Sequence, residues 1–170
     1  MSWGTSNRDG GKTSESGHLR AISKLIRGNV LNGLAVSQRG AGANMSVDIA
    51  AGDGLIMRAD GAYGHPIFND ATENKTVSTA DGSNPRRDIV VVYVDYGQAR
   101  DTGVSNNTNG VIKTAIIAGT PAGSPTDPSD VTIQAAVGAG NPWTKLARVR
   151  VPAGQTSISN TLIDDLRTFA

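Results

Sequence analysis

The sequence contains no cysteine, which excludes disulfide bonds, thiolate metal sites and cysteine nucleophiles. Aromatic residues make up only 4% of its 170 residues, so the core must be built mainly from Val, Ile, Leu and Ala. No run of about 18 apolar residues occurs, and the first residues lack the apolar stretch of a secretory signal. We therefore expect no membrane insertion and synthesis in the cytoplasm.

An excess of charge of one sign is also missing. The chain has 16 Lys and Arg residues against 15 Asp and Glu residues, and the two signs are interspersed. Nucleic-acid-binding proteins usually present a basic patch or stripe. The balance of charge therefore predicts that nucleic acid is not a partner.

Glycine and proline are plentiful and punctuate the chain. The 21 Gly and 7 Pro residues separate short apolar segments from one another. About eight to ten such segments follow at intervals of about 8–12 residues, a pattern typical of all-β proteins. The pattern predicts an antiparallel β-sandwich or a jelly-roll-like domain.

The N-terminal part differs from the rest. Residues 1–16 are polar except for Trp3, which predicts a flexible or docking arm. Residues 17–28 predict one short amphipathic helix, because four apolar residues recur there at helical spacing: Leu19, Ile22, Leu25 and Ile26. We therefore divide the chain into this arm and a single β-rich domain, residues 17–170, that includes the helix.

Individual strands can be placed from the sequence. Residues 89–94 form a β-branched run without alternation, which predicts a central strand covered on both faces. Residues 111–118 are expected to pair with it. Pro66 marks residues 63–68 as an edge strand. Residues 131–137 alternate between apolar and polar and are expected to form a further strand.

Residues 143–151 also alternate. In a regular strand, Leu146, Arg148 and Arg150 share one face. The other face then carries Ala147, Val149 and Val151. The alternation therefore predicts that Leu146 lies on the same side as the two arginines.

Residues suited to catalysis or metal binding are few. The two histidines, His18 and His65, stand outside any motif with metal-ligand spacing. Carboxylates beside glycine turns could be read as a calcium site, but their spacing fits no known loop: Asp48, Asp53 and Asp60. Asp164 and Asp165 are adjacent, whereas paired glycosidase acids come from separate strands. We predict no catalytic residue, no metal site and no cofactor.

Five segments follow one another in a characteristic order. They are Pro-Arg-Arg-Asp at 85–88, a valine-rich run at 89–94, Thr-Pro-Ala-Gly-Ser-Pro at 120–125, Leu-Ala-Arg-Val at 146–149 and Asp-Leu-Arg at 165–167. The series resembles a module common in tailed-bacteriophage structural proteins. That module is a β-rich domain near the front of baseplate, tail-fibre and other virion-surface proteins, including capsid-surface decoration proteins.

The charged residues of these segments suit structural roles. Arg86, Arg87 and Asp88 stand directly ahead of the predicted central strand, where a bidentate Arg–carboxylate contact can lock a loop. Asp165 and Arg167 are expected to do the same near the end of the chain. We predict structural ion pairing for all five.

The resemblance implies a non-enzymatic virion structural protein that docks onto the tail, the baseplate or the capsid. It also implies self-association, with a trimer favoured, and other virion proteins as partners. The predicted interface consists of the arm and the helix, through Trp3, Leu19, Ile22, Leu25 and Ile26. Two alternatives stay open: a carbohydrate-binding adhesin that recognises a host surface glycan through loops 97–110 and 120–130, and a polysaccharide-cleaving enzyme.

Overall fold

The computed structural model describes residues 30–58, 64–97 and 111–169. Within these ranges the chain forms ten β-strands, one α-helix and a short 3-10 turn, and all strand pairs within its three sheets are antiparallel. The predicted all-β fold is confirmed. The predicted arm at 1–16 and helix at 17–28 lie outside the described residues.

The strands fall into three sheets. In chain order they are β1 (Val30–Gly33), β2 (Val36–Gln38), β3 (Ser46–Ile49), β4 (Gly52–Met57), β5 (Gly64–Asn69), β6 (Glu73–Thr76), β7 (Arg86–Val94), β8 (Ile112–Ile117), β9 (Trp143–Val151) and β10 (Ile163–Asp165). The first sheet has the order β1-β4-β5, the second sheet β2-β3-β6 and the four-stranded sheet β10-β9-β7-β8. The helix α1 spans Asp130–Val137, and the 3-10 turn spans Asn160–Leu162.

Strand β7 lies inside the four-stranded sheet, between β9 and β8. Its alternate residues Val90, Val92 and Val94 enter the main core, while Ile89 and Val91 enter a smaller cluster with residues of α1. A strand that is buried on both faces needs apolar residues at successive positions. The run without alternation is thereby explained, and its predicted central position and pairing with β8 are confirmed.

The main core collects side chains from all three sheets. Each sheet turns alternate residues inward, because successive side chains of a strand point to opposite faces. Its buried members include Val30, Ile56 and Ile67 of the first sheet, Val47 and Ile49 of the second, and Val90, Leu146 and Val149 of the four-stranded sheet. Pro66 lies in β5 at the edge of the first sheet, as predicted.

Residues 131–137 form the helix α1, so the predicted strand was wrong. Ser129 caps the helix, because its hydroxyl accepts a hydrogen bond from the Thr132 amide at 3.2 Å. Ile133 and Val137, four residues apart, are the buried positions, and they pack against the four-stranded sheet. A spacing of four residues satisfies both the helical and the strand period, which is why alternation misled the assignment.

The position of Leu146 differs from the one that the alternation of residues 143–151 predicts. Val90 pairs with Ala147 and Val91 pairs with Lys145, so Leu146 is an extra residue in β9 and forms a β-bulge. Leu146 is fully buried in the main core together with Ala147. Arg150 is exposed and Arg148 is half-buried. The prediction that Leu146 shares a face with the two arginines was therefore wrong.

Candidate functional site

The segments that carry the resemblance lie in or beside the four-stranded sheet. Residues 86–88 open β7, and residues 146–149 lie within β9. Asp165 ends β10, and the following Leu166 donates its amide to the Leu146 carbonyl at 3.0 Å. The loop at 120–125 is attached at Ala122, whose amide donates to the Pro85 carbonyl at 3.0 Å. Segments far apart in sequence thus converge on one sheet.

Arg86 and Asp88 form a buried ion pair. The Arg86 Nε group donates to Asp88 Oδ1 at 2.9 Å and to Oδ2 at 3.2 Å. Its Nη1 group donates to the Thr79 carbonyl at 2.6 Å, and Nη2 donates to the Ser78 carbonyl. A buried guanidinium is tolerated only when its charge and its donors find partners. The pair therefore ties the start of β7 to residues 78–79.

Asp88 holds a second loop. Its Oδ1 atom accepts a hydrogen bond from the Gly119 amide at 3.0 Å. A Cβ atom at position 119 would lie 2.1 Å from the Arg87 carbonyl oxygen, so only glycine fits this close approach. One buried carboxylate thus joins β7 to the loop that follows β8.

Arg87 belongs to a different set of charges at the surface. Its Nη1 atom lies 3.7 Å from Asp127, a residue that the sequence analysis did not single out. Asp127 also accepts two hydrogen bonds from Arg148, one of them from Nε at 2.7 Å. Asp164 lies 3.5 Å from Arg148 and 3.3 Å from Arg150. These five residues form what we call the surface ion network.

The hydrogen bonds from Arg148 hold the pKa of Asp127 below its ordinary value of 3.8. A carboxyl group with a lowered pKa in the folded state stabilises the protein above pH 3.8, and this contribution is lost as the pH falls through the folded value. We expect Asp127→Asn to lower the free energy of unfolding near neutral pH by about 1 kcal/mol. The difference from the wild type should close in acid.

Urea unfolding at a series of pH values measures this effect. Asp130→Asn is the matched control, because the Asp130 side chain is 75% exposed and contacts only Lys145 within the described ion pairs. A difference between wild type and Asp127→Asn that stays constant from neutral pH into acid would contradict the assignment.

Asp165 and Arg167 form a bidentate pair. Arg167 donates from Nε to Asp165 Oδ1 at 2.9 Å and from Nη2 to Oδ2 at 2.6 Å, and these bonds lower the pKa of Asp165. The Nη1 group of Arg167 donates to the Gly33 carbonyl at 2.6 Å. The Val30 amide donates to the Thr168 carbonyl at 2.9 Å. The residues that follow β10 are thereby joined to β1.

The two adjacent aspartates do not share one site. Asp164 contacts the arginines of β9, whereas Asp165 is held by Arg167. Neighbouring residues of a strand point to opposite faces, which separates the two carboxylates.

The three candidate calcium ligands differ in their surroundings. The Gly40 amide donates to Asp48 Oδ2 at 2.8 Å and Asn74 donates to Oδ1 at 2.6 Å, and these bonds lower the pKa of Asp48. Asp53 is exposed, and Asp60 and His18 are not described. Within residues 30–58, 64–97 and 111–169, no group of three or more His, Asp or Glu side chains could hold a metal ion.

His65 takes part in an aromatic contact that the sequence did not indicate. Its Nε2 atom lies 2.5 Å from the Tyr96 hydroxyl, and the two ring centroids are 5.4 Å apart. The Arg58 guanidinium lies 5.9 Å from the centroid of the same tyrosine ring. His65 and Tyr96 belong to no sequence motif with a recognisable spacing. Only the tertiary fold brings His65, Tyr96 and Arg58 together.

An apolar surface lies on the side of the first sheet that faces away from the main core. Ile67 points into the core, so its neighbour Phe68 points outward. Leu31 follows the core residue Val30 and has no pairing partner, because the register of β1 and β4 shifts between Val30 and Asn32. Leu31 is 47% exposed and Phe68 is 55% exposed. We call this side the outer face; Asp53 of β4 pairs with Phe68 on one side and with Asn32, the neighbour of Leu31, on the other.

A shallow groove of about 220 Å³ runs beside the 120–130 loop. Four hydroxyl-bearing side chains and one carboxylate line it: Thr120, Thr126, Ser129, Thr132 and Asp127. Its lining is thus rich in hydrogen-bonding groups.

The predicted interface residues Trp3, Leu19, Ile22, Leu25 and Ile26 lie outside the described residues, and their role stays a prediction. No helix among the described residues is long and apolar enough to cross a membrane. No known family, curated protein or solved structure matches this chain.

Proposed function

We propose that this chain is a non-enzymatic structural protein of a tailed phage particle. It acts by associating with copies of itself and by docking onto the tail, the baseplate or the capsid. The observation that carries the proposal is the convergence of the characteristic segments on the four-stranded sheet. Its partners are therefore its own copies and other virion proteins, and its location is the virion.

The contacts of the charged residues support a structural role. Arg86 and Arg167 each use a guanidinium to bind both a carboxylate and the carbonyl groups of a distant segment. Asp88 binds the Gly119 amide in the same way. A particle component must hold its loops in a fixed shape, and this chain has no disulfide with which to do so. Buried and bidentate ion pairs serve that purpose.

The exposed apolar residues of the outer face suit contact with a second copy of the chain. Leu31 on β1 and Phe68 on β5 are both exposed, and each strand pairs with β4, so the sheet fixes the positions of the two residues. Apolar and aromatic residues are enriched at the centres of homo-oligomeric interfaces. We favour a trimer, in which each copy covers Leu31 and Phe68 of a neighbour.

Light scattering on the purified chain measures self-association. We expect a mass about three times the 17.5 kDa of one chain. The double variant Leu31→Glu, Phe68→Glu should be a monomer, because each interface would then bury unpaired carboxylates. Val131→Glu is the control, since Val131 is also exposed but lies on α1. A monomeric wild type, or a double variant that keeps the wild-type mass, would refute the proposed interface.

The groove beside the 120–130 loop favours a second candidate, a carbohydrate-binding adhesin. Its hydroxyls and its carboxylate could bond to the hydroxyls of a host surface glycan. Loop 97–110, the other part of that prediction, is not described beyond Gly97. A glycan array separates the two functions. Reproducible sugar binding that is lost in the double variant Thr126→Ala, Thr132→Ala would favour the adhesin. The absence of sugar binding would favour the structural protein.

A further inference from the structure

Leu31 is an extra residue in β1. Val30 pairs with Gly54 and Asn32 pairs with Asp53, so two steps along β1 match one step along β4. A bulge of this kind redirects a side chain out of the regular pattern of its strand. Leu31 is exposed, and so is the polar Asn32 that follows it. The bulge therefore presents a single aliphatic side chain at the surface.

A small cleft of about 60 Å³ lies where residues from all three sheets meet. Its apolar walls come from Leu34, Ile67 and Val92, which are buried in the main core, and from Ile112. Phe68 is the exposed residue of the lining and stands at the mouth. Phe68 belongs to β5, which lies on the opposite side of β4 from β1. The mouth of the cleft and the bulge are thus on the two outer strands of the first sheet.

The polar side chains around the cleft already have partners within the chain. Asn69 donates from Nδ2 to the Ala50 carbonyl at 3.2 Å. The Thr114 hydroxyl donates to the Glu73 carboxylate, whose other oxygen lies 2.7 Å from Lys75 Nζ. The carboxylate is therefore balanced before anything binds, and an apolar occupant leaves no charge unpaired. The chemistry of the cleft favours an apolar side chain.

The volume of the cleft limits the size of that side chain. A single water molecule needs about 10–15 Å³ of such space, whereas a cavity that binds benzene measures about 150 Å³. The 60 Å³ of the cleft lies between the two. It fits one aliphatic side chain such as that of leucine and is too small for an aromatic ring.

A trimer needs two different surfaces on each copy. In a closed ring of three, each copy turns one patch to the next copy and another patch to the previous copy. The exposed leucine of the bulge and the apolar cleft are complementary in shape and polarity. Phe68, which the proposed interface already includes, stands at the mouth of the cleft and connects the two features to one contact.

We propose that Leu31 of each copy inserts into the cleft of the next copy, beside that copy's Phe68. The inference rests on the proposed self-association and adds which two surfaces meet. An apolar anchor in a pre-formed pocket, surrounded by polar residues, is typical of the energetic centre of a protein interface. Asn69, Glu73 and Thr114 form that polar surround.

Variants that remove one surface at a time test the pairing. Leu31→Glu removes the inserting side chain and keeps the cleft. Thr114→Phe fills the cleft and keeps Leu31. Each should be a monomer by light scattering. Thr114→Val is the matched control, because valine has the shape of threonine and leaves the cleft open; it should keep the wild-type mass of about three times 17.5 kDa.

Mixing the two monomeric variants gives the most specific result. The Leu31→Glu chain still has an open cleft, and the Thr114→Phe chain still has Leu31, so one contact can form between them and the ring cannot close. We expect a mass about twice the 17.5 kDa of one chain. A single contact lacks the gain from ring closure, so the mixture is measured about a hundredfold above the concentration at which the wild type assembles.

The outcomes separate this inference from the proposed function. If the wild type assembles but the mixture stays monomeric, or if Thr114→Phe keeps the wild-type mass, Leu31 does not bind the cleft and the inference is wrong. A monomeric wild type refutes the proposed self-association itself. Circular dichroism checks that each variant is folded. Should Thr114→Phe unfold, Ile112→Phe fills the cleft from the same strand and replaces it in both measurements.

Discussion

Replacing Arg86 with methionine should lower the free energy of unfolding by about 3–5 kcal/mol, because it leaves the buried Asp88 carboxylate without its cation. The change also leaves the carbonyls of Ser78 and Thr79 without the donors that now reach them. Urea unfolding at neutral pH, followed by circular dichroism, measures the loss.

Arg87→Met is the matched control for this variant. Arg87 is the next residue in the chain, but its side chain is 42% exposed and lies 3.7 Å from Asp127. Exposed pairs contribute about 0–1 kcal/mol, so this variant should lose less than about 1 kcal/mol. Equal losses in the two variants would show that the Arg86–Asp88 pair does not hold the loops.

The second large effect is expected at the bulge of β9. Leu146→Ala should cost about 2–5 kcal/mol, because Leu146 is fully buried in the main core and its truncation leaves a cavity. The regular alternation of the sequence gives the opposite expectation, since it places Leu146 beside two surface arginines. The variant therefore tests the bulge itself.

Leu31→Ala is the control, because it is the same substitution on an exposed leucine. It should change the free energy of unfolding of the separated chain by less than about 0.5 kcal/mol. This comparison should use a chain concentration low enough to keep copies apart. A Leu146→Ala variant as stable as Leu31→Ala would mean that Leu146 does not reach the core.

The central strand could be predicted from sequence because its signal depends on burial alone. A run of β-branched residues with one tyrosine at 89–94, without alternation, has few explanations other than a strand covered on both faces. Pro66 gave a comparably direct signal, since a proline has no amide hydrogen to donate to a neighbouring strand and is therefore confined to strand edges. Both signals come from the residues of the strand itself and do not require knowledge of the segments with which it pairs.

The two wrong assignments share a cause. At residues 131–137 the period of two was also compatible with a helix, and the helix that forms is capped by Ser129. In β9 the side chains alternate regularly before and after Leu146, but Leu146 itself is an extra residue that shifts the alternation by one position. A bulge depends on the pairing partner, so alternation within β9 cannot indicate it.

The charged residues show where sequence reasoning stops. The order Arg-x-Asp ahead of a buried strand points to Arg86 and Asp88 themselves, because nearby opposite charges can pair locally. Their other partners, Thr79 and Gly119, contribute only backbone groups, which leave no mark in the sequence. Asp127 was missed for a related reason, since it reaches Arg148 across 21 residues.

The most direct test of the proposed function is a reconstruction, by electron cryomicroscopy, of phage particles purified from cells that produce this chain. We expect density for the three described sheets in symmetry-related copies on the tail, the baseplate or the capsid, with Leu31 and Phe68 at the contact between copies. Particles that lack the chain, while it remains in the lysate as a monomer, would contradict the proposal.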